Sequence, residues 1–384
     1  TSVAHFLAQC MDAHDVHCGF LGTLGNVFIN DLHPTGLTTV DALHVQKTLA
    51  DIHQAGAKHV VMEVSSHGLD QGRVNGVAFT TAIFTNMAKD HLDYHGTLDN
   101  YAAAKTRLFC TPGLGTAVIN LDDAYGRELA KEVSEHVCVW GYSLEEDISA
   151  YQGYADYFVH ALAIKPFERG YHLSVSTPKG DAEFDIPLVG RFNVANSLAV
   201  LSALLVSHLS FDDAVKSLAG VRPVDGRVEI ISEDDKPVVV VDYAHTEQGL
   251  EAVCQSVRDH FKGDVWCVFG CGGDRDRSKR ALMAKVAEKY ADKIIVTTDN
   301  PRHEDPQEII NEVMSGFSSL ENVEAVLDRR QAIDIAITNA QPEDVVLLAG
   351  KGHETSQIVG DVHIAFDDRR VAREFLSVRE SGVI

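Results

Sequence analysis

Four polar segments in the second half of the chain carry residue types that could do chemistry, and each directly follows an apolar run. Their sequences are YAHT, GCGGDRDRSK, DNPRHEDP and KGHE. DNPRHEDP brings Asp299, Asn300 and Arg302 together beside two prolines that stiffen the loop. Ligands of open parallel sheets bind beyond the carboxyl ends of the strands. We therefore expect a site along this edge for a ligand that needs both charge signs, although each segment alone could be a turn or a helix cap.

Two segments of the first half show the same arrangement. MEVSSHG (62–68) and NMAKDHLDYHG (86–96) each follow an apolar run, which predicts Glu63 and His91 at adjacent strand ends. A hard cation that bridges phosphates would bind at such a position. Lys105 lies on the helix after the second segment, where the pattern alone predicts an exposed lysine. A single glutamate or histidine more often caps a helix or lies at the surface, and that alternative stays open.

The elements around the four later segments predict an α/β fold. The apolar runs PVVVVDY, DVWCVFG, DKIIVTT and DVVLLAG alternate with helices near 246–260, 279–291, 306–316 and 329–339. This alternation is typical of a doubly wound, Rossmann-like domain. No G-x-G-x-x-G motif occurs, so a dinucleotide is not favoured as the ligand.

The first half predicts a mostly parallel sheet with an antiparallel patch. A helix over TSVAHFLAQCMDAH precedes three strands, KHVVMEVS (58–65), TTAIFTNM (80–87) and GTAVINLDD (115–123), which alternate with helical segments. Residues 155–190 alternate apolar and polar side chains around turns, and the apolar helix VANSLAVLSALLVSHL follows them. A connector with proline and glycine at 221–230 suggests a boundary, so we expect domains over 1–223 and 224–384.

Composition excludes some classes of partner and site. The formal net charge is −23, whereas nucleic acid and anionic membranes both need a basic surface. The longest apolar stretches fall short of a membrane span. The seven cysteines are scattered without a CxxC pair, so we expect neither a disulfide framework nor a thiolate metal site. We expect the cytoplasm as the compartment.

Seven dispersed segments occur in the order that one enzyme family shows. They are EVSSHGLDQGRV, FTNMAKDHLDYHGTLDNYAAAKTRLF, GRFNVANSLAV, VDYAHT, FGCGGDRDRSKR, DNPRHEDP and AGKGHE. Together they resemble the Mur ligase family of peptidoglycan synthesis, over essentially the full length of the chain. The resemblance implies a central P-loop-type ATPase domain over 1–223 and a Rossmann-like, amino-acid-binding domain over 224–384.

The resemblance also implies the reaction, an ATP-dependent amide ligation. ATP phosphorylates the γ-carboxylate of D-glutamate in UDP-N-acetylmuramoyl-L-alanyl-D-glutamate, and the amine of meso-diaminopimelate attacks the acyl phosphate. ATP is the implied co-substrate and Mg²⁺ the implied cofactor. Peptidoglycan synthesis, and with it cell-wall biogenesis, cell shape and cell division, is the implied process. Nucleic acid and membrane are not implied as partners, and we expect a monomer.

The chain departs from the family pattern in one large respect. The family's P-loop should stand immediately before the first helix, but no G-x-x-x-x-G-K-[ST] occurs, and Thr1 occupies the place of the motif's hydroxyl residue. The family's N-terminal uridine-binding domain is absent as well. We therefore expect this chain to be the central and C-terminal part of a longer enzyme, inactive by itself.

Matching motifs assign the metal and catalytic residues. Thr1 and Glu63 would serve one Mg²⁺, and Glu63, His91 and Lys105, the implied catalytic residues, would serve a second. The family carbamoylates the lysine that matches Lys105, and carbamoylation needs a neutral amine, so the site must lower the lysine pKa. The positions that match ATP-binding residues are Thr1, Asn193, Asn196, Arg227, Asp242 and, nearby, His245. Those that match residues holding the UDP-linked dipeptide are Thr38, Thr39, Ser65, Gln71 and Arg73.

Diaminopimelate would account for the mixed charges of DNPRHEDP. The matching residues are Arg275, Asp299, Asn300, Pro301, Arg302, Gly350 and Glu354. Diaminopimelate has a carboxylate and an amine at each end, so Arg302 could form a bidentate fork with the distal carboxylate while Glu354 receives the distal ammonium. Lysine lacks that carboxylate, and lysine-specific ligases lack the arginine of DNPR. The family often has a polar residue before the threonine pair, where this chain has Leu37.

Three alternatives remain at this point. A folylpolyglutamate synthase-like ligase has the same fold, but DNPR and GKGHE disfavour it. A carbamoyl-lysine metal hydrolase would explain Glu63, His91 and Lys105, but it needs further histidine ligands on successive strands. A non-catalytic nucleotide-binding module is the third alternative.

Overall fold

The computed structural model describes residues 1–14, 16–88, 90–167, 169–207 and 209–378. The chain forms two compact units, Thr1–Leu188 with Phe192–Arg222 and Val189–Arg191 with Pro223–Ile384. The predicted division lay between residues 223 and 224. The assignment of the two parts as ATP-binding and amino-acid-binding domains stays a prediction.

The first unit is an α/β structure. Its strands are β1 (Cys18–Gly22), β2 (Gly25–Phe28), β3 (Asp31–His33), β4 (His59–Met62), β5 (Thr81–Phe84), β6 (Thr116–Asn120), β7 (Cys138–Ser143), β8 (Tyr157–Phe167), β9 (Gly170–Thr177) and β10 (Gly180–Ile186). Its helices are α1 (Ser2–Asp12), α2 (Ala42–Gln54), α3 (Ser66–Asp70), α4 (Leu92–His95), α5 (Leu98–Thr106), α6 (Ala124–Val133), α7 (Arg191–Val206) and α8 (Phe211–Ala219), with a 3-10 turn at Ser149–Tyr151.

These strands form two sheets, in the orders β3-β2-β1-β4 and β10-β9-β8-β7-β6-β5. Strands β5 to β8 pair in parallel, and β8, β9 and β10 pair antiparallel, which confirms the parallel sheet and its antiparallel patch.

The strands before Glu63 and His91 are not neighbours, however. Strands β4 and β5 are end strands of different sheets, and residues of both line a cavity of about 630 Å³. No hydrogen-bonded ladder joins β4 to β5 among the described residues. The prediction of adjacent strand ends is therefore wrong for the described part of the chain.

The second unit has the predicted Rossmann-like order. Its strands are β11 (Glu229–Ile231), β12 (Val238–Asp242), β13 (Val265–Phe269), β14 (Lys293–Val296), β15 (Val323–Ala325), β16 (Val345–Ala349), β17 (Ser356–Val359) and β18 (Val362–Ala365). Its helices are α9 (Glu247–His260), α10 (Lys279–Tyr290), α11 (Pro306–Met314), α12 (Arg329–Asn339) and α13 (Asp368–Val378). The main sheet runs β11-β12-β16-β13-β14-β15 and is parallel except for β11, while β17 and β18 form a separate hairpin.

The sheet core explains why these segments are apolar throughout. Val241, Val346 and Leu348 pack against Ala332 and Ile333 of α12, because strands covered on both faces need apolar residues in succession. Each of the four polar segments starts where β12, β13, β14 or β16 ends, so the sheet places all four at one edge.

Capping residues start helices directly after two of these strand-end loops. Thr246 accepts a hydrogen bond from the Gly249 amide at the start of α9, and Asp305 accepts one from the Gln307 amide at the start of α11. Such caps satisfy amides that have no partner within the helix. Cys267 and Cys271 are buried and free. Among the described residues, no helix combines the length and the hydropathy that crossing a membrane would require.

Candidate active site

A buried lysine connects the predicted amino-acid-binding residues of the second unit. Lys351 follows β16, and its Nζ lies 3.1 Å from Asn300 Oδ1, 2.9 Å from Glu354 Oε2 and 3.7 Å from Asp299 Oδ1. Asn300 Nδ2 also donates to Glu354 Oε2 at 2.8 Å. The Lys351 side chain is fully buried. The structure thus brings Asp299, Asn300 and Glu354 together around a cation that the sequence analysis did not select.

The two carboxylates of this cluster respond differently to their surroundings. Burial raises the pKa of Asp299, with the charges of Lys351 and Arg329 opposing the rise. Burial acts in the same direction on Glu354, but the charge and hydrogen bond of Lys351 and the bond from Asn300 bring its pKa below the ordinary value. Asp299 Oδ1 is buried and accepts no hydrogen bond from the described residues. An ammonium group would supply the donor that this oxygen lacks.

Gly350 allows this close arrangement. Its φ is +114°, and a Cβ at this position would lie 3.3 Å from Asp299 Oδ2. A side chain would therefore meet both backbone strain and the carboxylate. The predicted binding role of Gly350 thus has a steric basis in the contact with Asp299.

Arg302 is held by its backbone and by its side chain. Its φ is 50°, its amide donates to Ile358 O at 3.0 Å, and its carbonyl accepts from the Gly360 amide at 2.7 Å. Its Nη1 donates to Gly273 O at 2.8 Å in the glycine-rich segment. Burial lowers the Arg302 pKa, and the neighbouring charge of Arg275 lowers it further. Two predicted arginines therefore lie close to each other, an arrangement that suits a carboxylate ligand.

The glycines of GCGGDRD let two loops approach closely. A Cβ at Gly273 would lie 2.0 Å from Pro301 O, and one at Gly272 would lie 2.8 Å from Arg302 Nη1. The Gly273 amide donates to Asn300 O at 2.9 Å. Pro301 thus contributes through its backbone, against which only glycine can pack.

Three predicted ATP-binding residues meet at the end of β12. Asp242 accepts hydrogen bonds from the amides of Val228 at 2.8 Å and Ala244 at 2.7 Å. Burial raises the Asp242 pKa, and the charge of Arg227 opposes the rise. The Arg227 guanidinium lies 4.4 Å from the centroid of the Tyr243 ring. The centroid of the His245 ring lies 4.7 Å from the same Tyr243 centroid. Asp242 therefore orders the backbone on which Arg227 stands.

Two more of the predicted ATP-binding residues lie on α7 in the first unit. Asn193 is buried, and its Oδ1 accepts a hydrogen bond from Asn196 Nδ2 at 3.1 Å. The two amides lie one turn apart on one face of the helix.

Glu63 is surrounded by hydroxyl groups. Its Oε2 accepts from Thr1 Oγ1 and from Thr23 Oγ1, both at 2.8 Å, and its Oε1 accepts from the Thr23 amide at 3.1 Å. Burial acts to raise the Glu63 pKa, and the hydrogen bonds from Thr1 and Thr23 act to lower it. Thr38 and Thr39 lie next to it, through bonds to Thr23 Oγ1 at 2.9 Å and to Glu63 O at 3.0 Å.

The predicted dipeptide-binding residues form one connected group. Ser65 N donates to Thr39 Oγ1 at 3.0 Å, and Arg73 Nη1 donates to Thr39 O at 2.5 Å. Arg73 also donates to Gln71 Oε1 through Nη2 at 2.6 Å, and Gln71 Nε2 donates to Tyr94 Oη at 3.1 Å. Leu37, where the family often has a polar residue, is 51% exposed.

Lys105 and His91 meet through Tyr101, apart from Glu63. Lys105 Nζ lies 5.0 Å from the centroid of the Tyr101 ring. The centroid of the His91 ring lies 5.9 Å from the same Tyr101 centroid. Burial lowers the Lys105 pKa, against the charges of Asp90 and Asp123. Glu63 and Lys105 both line the cavity between β4 and β5, whereas His91 does not.

The predicted second metal site is thus only partly assembled. No hydrogen bond or ion pair joins Glu63 to His91 or Lys105 in the described parts of the chain. Within the same residues, no three histidine, cysteine, aspartate or glutamate side chains are close enough to hold a metal ion.

Comparison with known proteins decides the family. The signature of the Mur ligase middle domain matches residues 1–204, and that of the Mur ligase glutamate ligase domain matches residues 226–352. The chain belongs to the Mur ligase family.

Relatives of this Mur ligase agree over nearly the whole chain. The UDP-N-acetylmuramoyl-L-alanyl-D-glutamate--2,6-diaminopimelate ligase of Coxiella burnetii is 44% identical over 380 residues, which are 98% of this chain and 76% of the relative. The enzyme of the same name from Alkalilimnicola ehrlichii is 47% identical over 382 residues, 100% of this chain and 75% of the relative. The chain is therefore an enzyme of the ATP-dependent amide ligase class, as the resemblance implied.

Solved structures show the same architecture. The structure of a UDP-N-acetylmuramoyl-L-alanyl-D-glutamate--2,6-diaminopimelate ligase superposes with a TM-score of 0.69 at 36% identity, covering 99% of this chain and 76% of that one. Folylpolyglutamate synthase from Mycobacterium tuberculosis, complexed with ADP, gives 0.70 at 19% identity, covering 91% of this chain and 85% of that one. That second likeness shows a shared fold alone.

Sequence analysis missed several residues that this Mur ligase places in its candidate sites. Lys351 lies in KGHE, a segment that the sequence analysis selected. Its positive charge was a signal that could have identified it as a partner of Asp299 and Glu354. Tyr94 lies in NMAKDHLDYHG, which was selected for His91, but only its contact with Gln71 reveals its place in the site. Thr23 lies in a segment whose local pattern carries no such signal, and only its contact with Glu63 reveals it.

Proposed function

We propose that this Mur ligase joins meso-diaminopimelate to UDP-N-acetylmuramoyl-L-alanyl-D-glutamate with ATP as co-substrate. The proposal rests on a cluster of side chains of both charge signs, which lies in the loops that follow β13, β14 and β16. Arg275 and Arg302 supply positive charge there, and Asp299 and Glu354 supply negative charge. Names of relatives at 44% and 47% identity support the same substrates.

Each end of diaminopimelate finds a complementary group in this cluster. A carboxylate can receive hydrogen bonds from the Arg302 guanidinium while the nearby Arg275 charge adds attraction. An ammonium can donate to Asp299 Oδ1, the buried acceptor that receives no hydrogen bond from the described residues, and to Glu354. The reacting amine loses a proton as its nitrogen bonds to the activated γ-carbon of glutamate, and phosphate leaves. The chain contributes orientation and charge neutralisation to this step.

The first unit would hold the phosphates and the dipeptide. The Glu63 carboxylate lies among hydroxyl oxygens, a donor set of the hard type that Mg²⁺ prefers. Bound Mg²⁺ would neutralise phosphate charge. The lowered pKa of Lys105 favours the neutral amine that carbamoylation needs, and the carbamate with His91 would complete a second site. Thr38, Thr39, Ser65, Gln71 and Arg73 would hold the dipeptide portion.

The cellular setting belongs to the same proposal. The enzyme would act in peptidoglycan synthesis, as a cytoplasmic monomer, with neither nucleic acid nor membrane as partner. The folylpolyglutamate synthase-like alternative has support from fold alone. The family match disfavours the hydrolase alternative.

Arg302 provides the direct test. In the natural protein, Arg302→Ala should lower kcat/KM for diaminopimelate by about thirtyfold to several thousandfold, because an unpaired buried charge costs about 2–5 kcal/mol. Arg302→Lys should recover little, since an ammonium cannot reproduce the planar fork. Steady-state kinetics with diaminopimelate and with lysine measure both variants, and the KM for ATP should barely change.

Arg330→Ala serves as the control, because Arg330 is an exposed arginine that pairs with Glu374 on α13. It should behave as wild type. Equal use of both amino acids by the wild type, or full preference for diaminopimelate in Arg302→Ala, would contradict the proposal.

A further inference from the structure

Arg280 is a buried arginine on α10, the last residue of FGCGGDRDRSKR, and the sequence analysis assigned it no role. Its side chain is 1% exposed. Its Nη1 donates to Glu304 Oε2 at 3.0 Å and to Glu312 Oε2 at 2.9 Å, and its Nη2 donates to Glu304 Oε1 at 2.8 Å. Nη2 also contacts Gly272 O at 3.3 Å. One guanidinium therefore binds a residue of DNPRHEDP, a carbonyl of GCGGDRD and a carboxylate of α11.

Glu304 connects Arg280 to the backbone of the glycine-rich loop. Its Oε1 accepts the Asp274 amide at 2.6 Å while it also accepts from Arg280. Asp274 has a φ of 52° and Arg302 a φ of 50°, conformations that residues other than glycine rarely adopt. Such backbone persists only where the surroundings hold it. The Arg280–Glu304 pair contacts both loops, the one that contains Asp274 and the one that contains Arg302.

The two loops held in this way carry the two arginines of the candidate carboxylate site. Arg275 follows Asp274 directly, and Arg302 donates from Nη1 to Gly273 O at 2.8 Å. A shift of one loop against the other would change the distance between the two guanidinium groups.

We propose that Arg280 is a positioning residue for the substrate carboxylate, because it sets the spacing of Arg275 and Arg302. This inference rests on the proposed function. It assigns Arg280 no contact with the substrate.

A purely structural role is the competing explanation, since Arg280 also joins α10 to α11 through Glu312. The two roles differ in what they predict. A structural role affects every substrate and the melting temperature together. A positioning role affects the amino-acid substrate selectively, because a small displacement of an orienting group can reduce rates by about a hundredfold.

The chain supplies a matched control at Arg277. Arg277 lies three positions before Arg280, in the turn that precedes α10, and pairs with the same Glu312, but its side chain is 59% exposed. The contacts described for it include neither Glu304 nor Gly272. Arg277→Met therefore removes an arginine–Glu312 pair and leaves the contacts between the two loops in place.

The experiment compares Arg280→Met, Arg280→Lys and Arg277→Met in the natural protein. Arg280→Met should raise the KM for diaminopimelate and lower the kcat/KM ratio of diaminopimelate to lysine, each by about tenfold to a hundredfold. The KM values for ATP and for the UDP-linked dipeptide should stay close to wild type. Arg280→Lys should recover only part of the loss, because one ammonium cannot reproduce a fork to two carboxylates. Arg277→Met should match wild type.

Glu304→Gln covers the case in which Arg280→Met does not fold, because the amide keeps the shape and removes one acceptor. It should change the same ratio in the same direction. Parallel losses for all three substrates, or an unchanged ratio in folded variants, would overturn the inference. A wild type without preference for diaminopimelate would instead refute the proposed function, so the two failures are distinguishable.

Discussion

At the scale of single residues, the loop after β16 contains a lysine whose ammonium contacts several of the candidate ligand-binding residues. Lys351 is fully buried, and Asp299 and Glu354 lie within 3.7 Å and 2.9 Å of its Nζ. A buried charge is tolerated only when paired. Lys351 lowers the pKa of Glu354 and opposes the rise that burial causes in the pKa of Asp299, and both effects favour the ionised carboxylates that can receive the substrate ammonium.

Lys351→Met should therefore change the pH dependence of activity. Lys351 lowers the pKa of Glu354, so the ionised form is present above that pKa and is lost as the pH falls through it. Without Lys351 the pKa rises, and the acid limb of kcat/KM for diaminopimelate should move to higher pH. The free energy of unfolding should fall by about 3 kcal/mol, as expected when a buried pair loses one partner.

Lys351→Arg keeps the charge and is the control for this shift. A pH–rate profile of each variant gives the comparison, with urea unfolding for stability. An acid limb at the same pH in Lys351→Met and wild type would show that Lys351 does not control the carboxylates.

Lys105 allows a second prediction at this scale. Burial lowers its pKa, which raises the fraction of neutral amine at neutral pH. Carbon dioxide reacts with the neutral form, so a carbamate should form on Lys105 and be lost as the pH falls. Carbon-13 NMR with labelled bicarbonate should show a carbamate signal in the wild type that Lys105→Ala lacks.

Lys131 is the matched control, because its Nζ also lies over a tyrosine ring, 4.6 Å from the Tyr154 centroid, but the residue is exposed. Lys131→Ala should keep the signal. A signal that survives in Lys105→Ala would place the carbamate elsewhere.

At the scale of elements, a buried ion pair joins α12 to α13 beneath the candidate amino-acid site. Arg329 donates to Asp368 from Nε at 2.8 Å and from Nη2 at 2.6 Å, and both side chains are fully buried. Arg329 Nη2 also donates to Ala349 O at 3.0 Å, at the end of β16. The pair therefore fixes the strand end from which Gly350 and Lys351 continue.

Asp368→Ala should lower the free energy of unfolding by about 3–5 kcal/mol, because it leaves the Arg329 charge buried without its partner. Glu374→Ala is the matched control on the same helix, since it removes the exposed pair with Arg330 and should cost less than about 1 kcal/mol. Urea unfolding of both variants measures the difference. Equal costs would mean that burial of the pair has no energetic consequence.

The β17–β18 hairpin also acts at this scale. Its Gln357 Nε2 donates to Asp299 O at 2.7 Å, and its Ile358 amide donates to Asn300 Oδ1 at 3.0 Å. With the two backbone bonds to Arg302, the hairpin holds the whole DNPR segment from outside the main sheet. Its own sequence gave no prediction of this contact.

At the scale of the whole molecule, the net charge of −23 contrasts with the cationic groups of the candidate sites. Anionic substrates must be captured by a few well-placed cations, among them Arg275 and Arg302, because the average surface repels them.

The same charge predicts no general affinity for polyanions. The natural protein should pass through a heparin column at about 0.15 M salt, since binding would need clustered basic surface. A basic protein of similar size, retained under the same conditions, is the control. Retention would reveal a basic patch that the overall charge conceals.

The sequence by itself determined the order of strands and helices in the second unit and the location of its candidate site. Runs such as DVVLLAG and caps such as Thr246 are local signals, because side-chain period and hydrogen bonds within one turn depend on near neighbours. The strand ends then bring YAHT, GCGGDRDRSK, DNPRHEDP and KGHE to one edge, as predicted. Motif resemblance supplied the family, which comparison confirmed.

Only the tertiary structure decided which side chains share a partner. Lys351 and Asn300 are 51 positions apart in the chain, and Arg280 and Glu304 are 24 apart. It also separated β4 from β5, where local patterns predicted neighbouring strands. The physical reason is that a buried cation needs a carboxylate to replace its lost hydration, and a strand needs a neighbouring strand edge within hydrogen-bonding distance. Both depend on the path of the whole chain, which no local pattern contains.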